Sequence, residues 1–208
     1  MILLVPLYVS PHPSRTAEIL GCLEKNVASG VFERIIVVTE RPEELPASVV
    51  GSVEQICLNE RQKYTHLIAK ANEFPGKVCV IANDDIVFDE TLLITEQIDF
   101  EKTLWAISRR DTRGQLEVRT SISQDAWAFI PPAPELQCDF YFGVPCCDNR
   151  IAWEFNNAGW KVANPHKFVS IRHFHDSGVR AKKRGKNTPR GGALYLESDR
   201  CINKPDTK

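Results

Sequence analysis

KVCVIANDDIVFD, residues 77–89, is a continuous apolar run that stops on one amide and two carboxylates. An unbroken apolar run of this length, without polar alternation, reads as a strand buried on both faces. ILLVPLY (2–8) and RIIVVT (34–39) read the same way, and VEQICL (53–58) is a further strand. Between them lie helical patterns. Pro11, Pro13 and Ser14 supply a turn and an N-cap, after which Ala17, Ile19, Leu20, Leu23 and Val27 make one helical face that ends near Gly30. RQKYTHLIAKANEF (61–74) is the second helix. Strands that alternate with helices pair in parallel, because each crossover lays a helix on the sheet. The first half is therefore α/β, and its ligand site is expected outside the carboxyl ends of the strands.

The second half changes character. TLWAIS (103–108), LEVRTS (116–121) and DAWAFI (125–130) predict shorter, partly antiparallel strands. A Pro-rich stretch, PPAPELQ (131–137), precedes a helix from Asp148 to Ala158, stopped by Gly159, and a strand pair around Trp160 to Ile171. The expected architecture is an α/β single domain over 1–208, with a central mixed, mostly parallel sheet flanked by helices.

Composition sets limits on function. The chain has 208 residues, 43% of them hydrophobic, and a net charge of -1. It can bury roughly 70% of its unfolded surface, and it lacks the basic excess of a nucleic-acid or anionic-membrane binder. No run approaches the ~20 apolar residues of a membrane span. The apolar start MILLVPLYV has no basic region before it and contains Pro6, so it reads as a strand and not a signal peptide. The seven cysteines are odd in number and show no C-x-x-C spacing, which favours a reducing, cytoplasmic setting without disulfides or structural zinc. Neither GxGxxG nor GxxxxGK[ST] follows the first strand, which disfavours dinucleotide and P-loop chemistry.

Asn83, Asp84 and Asp85 place oxygen ligands at the carboxyl edge of the sheet, where Mg2+ or Mn2+ can bridge to substrate phosphates. The competing reading is a turn that caps the next helix, with Asp89 as N-cap. His173 and His175, two apart on an extended segment, share one face. Asp148 opens a helix and is by itself an N-cap. Asp125 lies polar among apolar neighbours, Trp127 fits either a sugar face or the core, and Arg61 fits either a phosphate or a solvated helix surface. The segment 178–192 carries six basic residues and no acidic ones, a candidate closing loop or a solvated tail. Residues 178–208 hold nine Lys and Arg against three Asp and Glu, so near-neutrality conceals an acidic body and a basic C-terminal segment.

Together these pieces resemble the GT-A fold glycosyltransferases that use nucleotide-diphosphate sugars. Asn83-x-Asp85 stands at their DxD position, with Asn for the first Asp, and CDNRIAWEFNNAGWKV resembles the acidic helix region of inverting family 2 enzymes, with Cys147 for the usual Glu. ANDDIVFD, SQDAWAF, CDNRIA and NPHKFVSIRHFH more closely resemble a small viral and bacterial group that includes a chlorella-virus capsid glycosyltransferase domain. The resemblance spans about Asn59 to Arg180.

It implies a metal-dependent transfer from a nucleotide sugar, UDP favoured, to a glycan or glycoprotein acceptor, in the cytoplasm (the host's if viral). Residues 1–100 would bind the donor and 101–180 the acceptor, with 181–208 as the basic segment; the chain would stand alone or form one domain of a larger enzyme. Asp85 and a late histidine, His173 or His175, would hold Mn2+ or Mg2+, with Asn83 or Asp84 contributing. Pro6, Tyr8, Thr39, Glu40 and Arg61 would contact the nucleotide, Asp125 and Trp127 the sugar or acceptor, and Asp148 would be the base. A non-catalytic nucleotide-sugar-binding module and a sugar nucleotidyltransferase are the alternatives.

Overall fold

The computed structural model describes residues 1–116, 120–179, 188, 189 and 191–196. Nine strands and three α-helices alternate as β1 (Ile2–Pro6), α1 (Pro13–Ser29), β2 (Arg34–Thr39), β3 (Val53–Cys57), α2 (Tyr64–Ala71), β4 (Cys79–Ala82), β5 (Ile86–Phe88), β6 (Thr103–Ser108), β7 (Gln124–Phe129), α3 (Cys147–Asn157), β8 (Lys161–Ala163) and β9 (Ile171–His173). The main sheet runs β3-β2-β1-β4-β7-β6-β8, and β5 and β9 form a separate two-stranded ribbon. β3, β2, β1 and β4 are mutually parallel. β7 is antiparallel to both β4 and β6, and β8 runs parallel to β6.

Both faces of the inner strands β1, β2, β4, β6 and β7 are buried, which is why these strands read as apolar runs. Leu3, Val5, Val37, Val80 and Ala128 pack on one face with Ile19 and Leu23 of α1. Their sequence neighbours Ile2, Leu4, Ile36, Ile81 and Trp127 pack on the other with Leu67 of α2 and Phe155 of α3. The period-2 alternation of a strand thus divides the apolar residues between two helical layers.

Several helix starts and strand pairings differ from the sequence expectation. The N-cap of α1 is the extended residue His12, with Pro13 in the first turn, where a missing N–H costs nothing; Ser14 is already inside the helix. Gly30 ends α1 in the left-handed conformation at φ 66°. α2 is shorter than 61–74 because its first turn is held by Lys63 and His66, whose Nδ1 accepts from the Lys63 N–H at 3.3 Å. α3 starts from left-handed Cys146, so Asp148 lies in the first turn and is not the N-cap. LEVRTS is not a strand over its described residues: Leu116 makes one bridge to Arg110, and Thr120–Ile122 is a 3-10 turn. Residues 161–171 do not form a strand pair. β8 joins the sheet edge beside β6, while β9 leaves to pair with β5.

The β5 edge is completed by a side chain. Asn26 of α1 donates from Nδ2 to the Ile86 carbonyl at 2.8 Å and accepts the Phe88 N–H on Oδ1 at 2.9 Å. Asn26→Leu leaves both backbone groups buried and unpaired, each costing ~1–3 kcal/mol. A loss of about 2–4 kcal/mol in urea unfolding is expected, and a loss below about 1 kcal/mol contradicts this role.

Candidate active site

The chain turns sharply after β4. The Asn83 N–H donates to the Asp125 carbonyl at 2.9 Å and the Ile86 N–H to the Asn83 carbonyl at 3.3 Å. Asp89 does cap the following 3-10 helix, accepting the Thr91 N–H at 3.1 Å. Asp84 and Asp85 do not serve as caps; both reach groups distant in sequence. Asp84 Oδ2 accepts the Tyr8 N–H at 3.1 Å, tying the loop after β1 to the turn after β4.

Asp85, 6% exposed, is surrounded by one guanidinium and two imidazoles. Its Oδ2 lies 2.9 Å from His173 Nε2 and 3.7 Å from His175 Nδ1, and also accepts from Arg15 Nη2. The two imidazoles stack with centroids 5.4 Å apart. Main-chain pairing holds them there. Ile86 faces His173 in the β5–β9 ribbon, the His173 N–H donates to the Arg110 carbonyl at 2.8 Å, and the Phe174 N–H donates to the Asp85 carbonyl at 2.9 Å. Burial alone would raise the Asp85 carboxyl, but the bonds from His173, then His175 and Arg15, hold it far below the usual range. The adjacent Asp84 goes the other way, pushed up to about 8 by burial and then by the Asp85 charge.

One oxygen of Asp85 and one nitrogen each of His173 and His175 lie within 4.8 Å of one another. His175 Nε2 is buried without a hydrogen-bond partner among the described residues. A carboxylate with two imidazoles suits divalent first-row ions, whereas Mg2+ prefers oxygen. The residues present therefore fit a divalent metal.

A second acidic group lies on the α3 side. Asp125, 3% exposed, accepts from Asn83 Nδ2 at 2.7 Å and from Arg109 Nη1 at 2.8 Å on the same Oδ1. Its Oδ2 is buried and unpartnered among the described residues. Burial raises its carboxyl despite Arg109. Asp148 accepts from the Cys147 thiol at 3.0 Å, and Cys147 in turn lies 3.8 Å from the Tyr64 hydroxyl. Burial, then the Asp125 charge, pushes the Asp148 carboxyl up to about 7.

A pocket of about 160 Å³ opens between the ends of β1 and β2, lined by Leu7, Tyr8, Val9, Glu40, Arg41, Glu43 and Gln62. It is smaller than the ~300–1,000 Å³ of a complete ligand site and suits one part of a ligand, such as a base. Gln62 braces it, donating to the Leu7 and Val38 carbonyls at 3.1 and 2.9 Å.

Of the expected nucleotide contacts, Tyr8, 54% exposed, and Glu40 line this pocket, while Pro6, Thr39 and Arg61 do not. Pro6 is a buried β1 residue, and the buried Thr39 hydroxyl donates to the Ile56 carbonyl at 3.3 Å. Arg61 lies over the Tyr141 ring and donates to the Phe142 carbonyl at 3.0 Å, which engages it away from the pocket. Trp127 is not a sugar platform. It is 1% exposed and packs edge-on against Tyr64 and Phe142, because both faces of β7 are covered. Asn83 is turned to Asp125 and not to Asp85.

Arg15, Gln62, Arg109 and the thiol contact of Cys147 escaped the sequence reading; a lone Arg early in a helix carries no signal of its partner. The basic stretch 178–192 lies mostly outside the described residues. Residues 191–196 return to the start of α3, where the Leu194 N–H donates to the Asn149 carbonyl at 3.1 Å and Asn149 Nδ2 to the Leu194 carbonyl at 2.8 Å. The six described cysteines are free, and no described helix is long and apolar enough to cross a membrane.

No protein-family model matches the chain, and no curated protein sequence matches it. Its fold is similar to that of solved structures. The mannosyltransferase PcManGT of Pyrobaculum calidifontis, in complex with GDP-Man and Mn2+, aligns with TM-score 0.56 and 14% identity over 83% of this chain and 56% of that one. S. aureus TarS 1-349, in complex with UDP-GlcNAc, aligns with TM-score 0.51 and 10% identity over 90% of this chain and 60% of that one. The chain thus spans less than two thirds of either. At these identities the likeness concerns the fold, which is the mixed α/β architecture of the GT-A glycosyltransferases.

Proposed function

We propose that the chain is a metal-dependent glycosyltransferase that moves a sugar from a nucleotide-diphosphate donor to a hydroxyl acceptor. The observation that carries this reading is the convergence of Asp85, His173 and His175 at the carboxyl edge of the sheet, beside a base-sized pocket and across from Asp148. Both similar structures contain a nucleotide sugar, one of them with Mn2+, which supports the same reading. Residues 1–100 then form the donor half, with Tyr8 and Glu40 against the base, UDP favoured. Residues 101–180 carry the acceptor side, the acceptor being a glycan or glycoconjugate.

Asp85, His173 and His175 would hold the metal, with Mn2+ favoured over Mg2+ by the two imidazoles. A divalent ion there supplies Lewis-acid stabilisation of the charge that develops on the leaving diphosphate. The protein supplies the remaining chemistry. An acceptor hydroxyl needs a base near its working pH, and Asp148, raised to about 7, is ionised and basic in that range. The Cys147 thiol fixes one of its oxygens, leaving the other to take the proton as the hydroxyl attacks the anomeric carbon and the bond to the diphosphate breaks, with inversion. Asp125 keeps one buried oxygen without a partner among the described residues, and it would take a sugar hydroxyl donor once exposed to the substrate. The Asn83 substitution does not signal a lost ligand, since Asn83 Nδ2 already serves Asp125.

Calorimetric titration of UDP and GDP in the presence and absence of Mn2+ tests the donor site. Binding is expected to need the metal and to be lost in Asp85→Ala. Metal-independent binding of either nucleotide, undiminished in Asp85→Ala, contradicts the reading.

Transfer or donor hydrolysis should rise about tenfold per pH unit on the acid side and level off near pH 7, because Asp148 works only when deprotonated. Asp148→Asn is expected to lower turnover by ~10²–10⁴-fold with donor binding intact. A product of retained anomeric configuration, read by NMR, removes Asp148 from the role of base. Donor binding without turnover on any acceptor, unaffected by Asp148→Asn, supports a binding module instead.

A further inference from the structure

Arg15 is 8% exposed and belongs to the helical layer, yet its guanidinium reaches the sheet edge and meets the oxygen of Asp85 that faces both histidines. Its second terminal nitrogen is held elsewhere. Arg15 Nη1 donates to Glu18 Oε2 at 3.1 Å and to the Phe174 carbonyl at 2.9 Å. Glu18 also accepts from the Ser177 N–H, and from the Ser177 hydroxyl at 2.7 Å. The guanidinium therefore bridges two carboxylates, one in the metal-competent cluster and one outside it, while pinning the backbone between the two histidines.

This arrangement gives Arg15 a place to remain when Asp85 is shared. A divalent ion held by Asp85, His173 and His175 takes over the charge that Arg15 neutralises. Arg15 need not leave, because Glu18 and the Phe174 carbonyl still satisfy it. It stays as a positive charge beside the ion. At such short range, in a part-buried site, that repulsion is screened less than in water, although Glu18 offsets part of it.

We propose that Arg15 is the resident counter-ion of the metal site: it compensates buried Asp85 in the metal-free protein and weakens divalent-ion affinity in the loaded one. The site is then assembled before metal arrives and the ion remains exchangeable. The proposal rests on the metal reading above and adds a residue to it. Arg15→Lys would keep the charge but lose the two-ended span, whereas a neutral side chain of similar length would lose both.

The test is Mn2+ titration, without donor or acceptor, of the wild-type chain, Arg15→Gln, Arg15→Lys and Asp85→Ala, read as free Mn2+ by electron paramagnetic resonance, with thermal unfolding of each metal-free protein. Arg15→Gln is expected to bind Mn2+ at least fivefold more tightly than wild type while unfolding at lower temperature without metal. Arg15→Lys is expected to lose similar stability but to bind Mn2+ within about threefold of wild type. Affinity in Arg15→Gln equal to or weaker than that of Arg15→Lys overturns the counter-ion role and leaves Arg15 a structural tie. Mn2+ binding by wild type that survives in Asp85→Ala, or no binding at all, overturns the metal reading and the proposal with it. Should Arg15→Gln fail to fold, Arg15→Met, which removes the charge and keeps the aliphatic stem, carries the same comparison.

Discussion

Asp85 is 6% exposed at the end of a sheet whose interior is apolar, and an ionised carboxylate at that depth costs several kcal/mol unless charges and hydrogen bonds surround it. The neighbourhood is organised by that constraint. Arg15 fixes the start of α1 against the sheet edge, and the β5–β9 ribbon delivers His173 to the same oxygen. Asn26, one layer away, satisfies the outer edge of β5 with a side-chain amide, so the ribbon needs no further strand. The turn after β4 is thus held from the α1 layer, from the ribbon and, through Tyr8 and Asp84, from β1.

The sheet edge has two electrostatic sides. On the α1 side Arg15 and the two imidazoles surround Asp85, which is held ionised. On the α3 side Asp125 and Asp148 share the field of Arg109, and both carboxyls are nonetheless raised. Carboxylates pushed apart in this manner take different tasks. In the proposed reaction an ion or a diphosphate would lie beside the first set, and a proton in transit beside the second. Asn83 marks the divide, since a carboxylate there would add a third charge to the Asp125 pair.

The alternation of buried strands and amphipathic helices made most of the fold legible, because covered parallel strands have no polar face to obscure their limits. RIIVVT and TLWAIS are strands from end to end. The failures occur where pattern is short or two-valued. β8 and β9 have three residues each, too few to carry a pairing preference. Trp127 alternates correctly, but with both faces of β7 covered its alternation does not distinguish core from cleft. The histidine spacing predicted only a shared face, and their place beside the acidic turn rested on the family resemblance; the acidic turn itself was legible from its place after a strand. Arg15 was not, since what distinguishes it is the partner it meets 70 residues on.

The separation of these partners also bears on how the chain reaches its native state. Asp85 and His173 lie 88 residues apart, and closing a loop of that length costs about 4 kcal/mol of chain entropy before any contact rewards it. Local helices and the β1-β2 pairing can form early, whereas the ribbon that carries the histidines waits on the second half of the sheet. High contact order of this kind slows folding. The cluster around Asp85 is then a seal set late, whose formation reports that the sheet beneath it is complete.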